Sequence, residues 1–136
     1  MTILPKTDST PTNFTVKAAA EILRRAGGLC EGCHRRDDLQ LHHRLYKSRG
    51  GKGTVANGIA LCGLGNASGC HGKAHTGAGE ELGWSLPSGS NPLNIPARTW
   101  HRDGWGVERQ EWALLDNQGG VHWITDEEAA RRMGTE

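Results

Sequence analysis

The chain has little aromatic material: one Phe, one Tyr and five Trp among 136 residues. Hydrophobic residues of every kind reach only 35%. That is a lean supply for a core, and a metal ion or another staple is the expected compensation. Long apolar runs are missing as well. Nothing approaches the roughly 18 consecutive apolar residues of a membrane-spanning helix, so no membrane partner is expected. The opening MTILPKTDSTPTN lacks the basic start and apolar stretch of a secretory signal, which makes a cytoplasmic, intracellular location the expectation. There, cysteines serve metals more often than disulfides. Net charge is only +1 and by itself points to no partner.

What charge there is falls unevenly. Residues 30–79 carry seven Lys and Arg against three Asp and Glu, whereas residues 80–136 carry five against ten. A basic middle suits a polyanion and is equally compatible with a solvated face. The length fits one compact domain. Residues 1–13, rich in Thr, Pro and Ser, read as a flexible tail. With Asn13 as N-cap, FTVKAAAEILRRAGG places Val16, Ala19, Ile22, Leu23 and Ala26 on one helical face and ends at Gly27 and Gly28. Then CEGCHRRDD reads as a tight turn, LQLHHRLY as a strand, KSRGGKGTVANG as a glycine-rich loop, IALC as a second strand and CHGKAHTGAG as a short helix. Beyond residue 83, Pro, Gly and Ser breaks lead to WALLDNQGGVHWI, a hairpin turning at DNQGG, and to DEEAARRM, a closing helix.

Four cysteines come as two pairs. Cys30 and Cys33 form C-x2-C; Cys62 and Cys70 stand further apart, around GLGNASG. Two pairs brought together give a tetrahedral thiolate site of the structural zinc type, which closes every coordination position and does no chemistry. Two disulfides or free buried thiols are the other readings, and the lean core favours zinc. His71 and His75, four apart on the expected helix, can meet one ion, and a third ligand from the opposing strand would leave positions open for water and substrate. On the strand itself, His42 and His43 are adjacent and point to opposite faces. They cannot do the same job.

The order C-x2-C, LHH, GG, Asn, LC…CH-x3-H over about residues 28–77 resembles the HNH endonuclease family, the ββα-metal (His-Me finger) nucleases of phages, restriction systems, homing enzymes and toxins. The resemblance implies an α+β fold. Its centre would be a small zinc-stapled ββα-metal core over residues 14–79, opened by the N-terminal helix. Residues 80–136 would be a Trp-containing β-hairpin extension packed on the same domain. It also implies roles: His42, His71 and His75 as ligands of a catalytic divalent ion (Mg²⁺, Mn²⁺, Ni²⁺ or Zn²⁺), and His43 as general base. Asn57 would pin the loop whose backbone orients that base. Arg44, by position, would steady the scissile phosphate. The implied activity is metal-dependent hydrolysis of DNA phosphodiester bonds, with structural Zn²⁺ on Cys30, Cys33, Cys62 and Cys70.

Two departures matter. The wide Cys62–Cys70 spacing lengthens the path from Asn57 to His71. Gly72 and Gly77 weaken the short helix, so metal is expected to help order it. His34 is expected at the surface, His101 and His122 in structural or exposed positions, and the five tryptophans in packing rather than base stacking. Arg44, Lys47, Arg49, Lys52 and Lys73 are candidate phosphate contacts. Rival functions are a zinc-finger-like nucleic-acid-binding module without turnover and an accessory protein that engages phage packaging or replication proteins. The intact His43 argues for chemistry.

Overall fold

The computed structural model describes residues 9–65 and 67–134; part of the expected tail, residues 1–8, lies outside them. Helix α1 is Val16–Ala26. Thr15 rather than Asn13 caps it, its Oγ1 accepting the Ala18 amide at 3.0 Å, and Gly27 ends it in the left-handed conformation at φ 65°. The buried face is Ala18, Ile22, Arg25 and Ala26, rotated from the expected one, and Val16 is left 90% exposed. The cause is Arg25, which no hydropathy pattern would bury. Its guanidinium pairs with Glu31 at 2.8 Å with neither side chain exposed.

Strands β1 (Leu39–His43) and β2 (Gly58–Cys62) form an antiparallel ribbon in which His42 faces Ile59 and His43 faces Gly58. The ribbon is covered on both sides. α1 and Val55 bury Ala60 in one small cluster, with Phe14, Leu39 and Leu41 around it. On the other side Ile59 and Leu61 join Cys30, Cys62, Cys70, Ala74 and Trp84. Strand β2 is accordingly buried along its whole length. Helices α2 (Gly69–Ala74) and α3 (Gly77–Glu81) follow. The single expected helix is broken at His75, where glycines flank the junction and Thr76 turns its hydroxyl back to the Lys73 carbonyl at 2.6 Å.

Strands β3 (Ala97–Arg102), β4 (Glu108–Leu115) and β5 (Val121–Trp123) make a second antiparallel sheet in that order, followed by α4 (Asp126–Met133). The β4–β5 turn is the expected one, with Asp116 Oδ1 accepting the amides of Gln118 and Gly120 at 2.8 and 2.7 Å. Strand β3 was not expected. Its inward residues are Ala97, Thr99 and His101, and that alternation carries no hydropathy signal. The two sheets share one core through Trp84, Ala97, Ala113 and Leu115. A polar seam also joins them. Glu31 receives Arg25 from α1, His101 from β3 and the Ala60 amide from β2, and its carbonyl accepts the Trp100 amide at 2.8 Å. Among the described residues no helix is long and apolar enough to cross a membrane.

Candidate metal centres and active site

The Sγ atoms of Cys30, Cys33, Cys62 and Cys70 lie within 4.8 Å of one another, and none is in a disulfide. Cys33 and Cys62 are 3.7 Å apart, close to the ~3.8 Å edge of a tetrahedron whose Zn–S bonds are ~2.3 Å. Amides turn toward the sulfurs: Gly32 and Cys62 donate to Cys30 at 3.3 and 3.2 Å, and Cys70 donates to Cys62 at 3.4 Å. Hydrogen bonding from Cys70 and these amides holds the Cys30 thiol down to about 5. Cys70 is pushed up in return, chiefly by the same bond and then by burial. Four clustered sulfurs with backbone amides turned toward them are a donor set that fits a cation. The wide Cys62–Cys70 loop does not spread the sulfurs because glycines pinch its neck. A Cβ at Gly63 would stand 2.1 Å from the Ser68 carbonyl oxygen, and one at Gly69 2.5 Å from that of Cys62.

The donor nitrogens of His42, His71 and His75 also gather within 4.8 Å. Each comes from a different local device. Alternation along β1 turns Gln40 and His42 to the α2 side. His42 Nε2 donates to the Trp84 carbonyl at 2.8 Å, which leaves Nδ1 as its ligand atom. His71, in α2, gives Nδ1–H to Gln40 Oε1 at 2.7 Å, which leaves Nε2. That nitrogen is 3.4 Å from His75 Nε2, near the separation expected of two ligands ~2.0–2.1 Å from one tetrahedral ion. Burial, with the neighbouring imidazoles adding to it, pushes His42 down to about 3. Burial and then His75 lower His71 too. Neutral imidazoles with a fixed outer hydrogen bond are what a divalent ion binds.

His43 points the other way. Its ring lies 4.1 Å from that of Phe14, and its Nε2 donates to the Thr12 carbonyl at 2.8 Å. Burial, and secondarily Lys47, lower its pKa, so it is neutral at neutral pH. Asn57 is buried and pins the glycine-rich loop: Oδ1 accepts the Leu45 amide at 2.7 Å, and Nδ2 donates to the Leu45 and Lys52 carbonyls at 3.1 and 2.8 Å. The carbonyl on His43 is thus not one from that loop, as the resemblance implied.

Residues 30–77 match the model of the HNH endonuclease family. Over those residues the chain is similar to that family. No curated protein and no solved structure matches the chain. The fold of the matched segment, ribbon then helix with a four-cysteine cluster, fits the ββα-metal type.

Arg44 needs correction. The domain buries it completely, and its guanidinium donates to the carbonyls of Gly83, Ala56, Pro92 and Ile95 at 2.7–3.1 Å. Burial, with Arg25 adding to it, brings its pKa down to about 9, which keeps it charged at neutral pH. It ties the 83–95 connection to the ribbon and has no face left for a phosphate. Tyr46 was overlooked. Its ring stacks on His75 at 5.2 Å and 29°, its hydroxyl accepts Ser85 Oγ at 2.9 Å, and the Arg49 guanidinium covers it at 4.5 Å. An aromatic three residues beyond the histidine pair was the available signal. His34 stacks on Trp100 at 5.0 Å and belongs to neither cluster of candidate ligands. Trp84 is core, while Trp105, 93% exposed, is not.

Proposed function

We propose that this protein is a metal-dependent endonuclease that hydrolyses DNA phosphodiester bonds. The observation that carries the reading is the convergence of His42, His71 and His75 nitrogens on one point, with His43 on the opposite face of the same strand. The three imidazoles would hold one divalent ion and leave part of its coordination sphere to substrate. Such an ion, when bound, supplies Lewis-acid stabilisation to the scissile phosphate and its leaving 3′ oxygen. The chain's own contribution is the proton acceptor. Neutral His43 takes one from a water as the water oxygen bonds to phosphorus, and the P–O3′ bond breaks to leave 5′-phosphate and 3′-hydroxyl ends. The leaving oxygen takes its proton from solvent. Arg49, whose guanidinium lies over the Tyr46 ring and gives one N–H to the Leu86 carbonyl at 2.8 Å, would meet a neighbouring phosphate with its remaining N–H groups in the role Arg44 cannot fill. The four cysteines would hold structural Zn²⁺ and keep α2 in register with the ribbon.

The test is incubation of supercoiled plasmid with zinc-loaded protein and Mg²⁺, Mn²⁺, Ni²⁺ or Zn²⁺. Nicked or linear product with at least one of them is expected. Folded protein that binds DNA and cuts with none would instead be a binding module.

A further inference from the structure

The segment leading into α1 passes directly over His43, and the fold is cut to receive it. Gly53 donates its amide to the Pro11 carbonyl at 2.8 Å, and Lys47 Nζ reaches Asn13 Oδ1 at 2.5 Å. Phe14 lies against the His43 ring and packs beside Ala18 and Ile22. Two positions under the segment lack side chains where any would collide. A Cβ at Gly53 would stand 2.2 Å from the Asn13 carbonyl oxygen, and one at Gly58 would meet Ile22 Cδ1 at 2.2 Å and then the Phe14 ring at 2.9 Å. The Thr12 carbonyl, held between these anchors, meets His43 Nε2.

A carbonyl oxygen only accepts. A neutral His43 bonded to it must carry its hydrogen on Nε2, which leaves the Nδ1 lone pair as the proton acceptor. We propose that Pro11–Phe14 is a positioning strap of the active centre, in which the Thr12 carbonyl fixes His43 in the Nε2–H tautomer and so offers Nδ1 to water. The inference rests on the nuclease reading above. When Nδ1 takes the water proton, the ring becomes an imidazolium whose Nε2–H bond to Thr12 strengthens, as a carboxylate-oriented histidine behaves in acyl-transfer enzymes. The strap acts through His43 and touches no substrate.

Gly53→Ala is the perturbation. Its methyl would meet the strap backbone, the Asn13 carbonyl and the Phe14 amide nitrogen, and no histidine is substituted. Protein labelled with ¹⁵N at histidine, zinc-loaded and without added divalent ion, is compared with wild type by long-range ¹H–¹⁵N correlation. Wild type should show His43 as Nε2–H alone, and Gly53→Ala a mixture of tautomers. In the plasmid assay the variant should lose about 10–100-fold in kcat, the scale of a misplaced catalytic group, with KM for DNA and divalent-ion affinity unchanged. Should Gly53→Ala fold poorly, Phe14→Leu, which removes the ring beside His43 and keeps an apolar core contact, gives the same comparison. Wild-type His43 found as Nδ1–H, or a strap variant with a mixed tautomer and wild-type kcat, overturns the strap. A wild type that cuts no DNA overturns the nuclease reading, whichever tautomer is found.

Discussion

Arg44→Met separates a structural arginine from a phosphate-binding one. The side chain is fully buried and gives four hydrogen bonds to the carbonyls of residues 56, 83, 92 and 95. Bonds from a charged donor contribute about 1.5–3 kcal/mol each, so the gross loss is on the order of 6–12 kcal/mol. Methionine fills most of the volume and removes the cost of burying a guanidinium, which is several kcal/mol. The expected net destabilisation is about 3–5 kcal/mol, the range found when one partner of a buried charged network is removed. In a domain of this size that lowers Tm by roughly 10–20 °C. Urea titration of zinc-loaded protein measures the first number and thermal melting the second. Plasmid cleavage well below the transition should keep its KM for DNA. A variant of wild-type stability with a raised KM would refute the structural role and restore the phosphate contact.

The other expectations are more direct. His43→Ala should cut about 10²–10⁴-fold more slowly while calorimetric divalent-ion affinity stays at wild type, and excess metal should not restore it. Gln40→Leu removes the acceptor from His71 Nδ1–H and should weaken the catalytic ion about 10–100-fold; unchanged affinity would mean the ring is oriented by something else. Elemental analysis should find one zinc retained per chain after dialysis, and Cys30→Ser should lower folded yield before it alters any rate. Arg49→Ala should weaken DNA binding and flatten the plot of log affinity against log salt by about one unit of slope, whereas an unaltered slope would remove Arg49 from the interface.

The residues of both clusters were legible in the sequence because metal sites are written in residue identity and spacing. C-x2-C, the histidine pair and CH-x3-H survive any uncertainty about where a helix ends, and His71 and His75 still converge although the helix breaks between them. The orientation of His42 and His43 followed from strand alternation alone. What escaped were roles decided by burial. Arg44 looks like any basic residue beside a catalytic histidine, and only the later 83–95 connection folding over it makes it structural. Arg25, Glu31 and His101 carry no hydropathy signal for burial because each is polar, yet they meet across 76 positions of sequence as a compensated set. Strand β3 was hidden for the same reason. Thr12 acts through its backbone, which no side-chain pattern records.

Glu31 stands between the two cysteines of the first pair, and this placement limits how the motif can travel. Its carboxylate is held about 2 by Arg25 and His101, which overcome the cost of burial. Neither partner lies within residues 30–77. A gene fragment encoding the recognisable motif alone would keep the Glu31 carboxylate and lose both side chains that hold it, and breaking a buried charged network costs several kcal/mol. Recombination between such chains would therefore favour breakpoints outside residues 25–101, or exchanges in which position 31 has already become neutral.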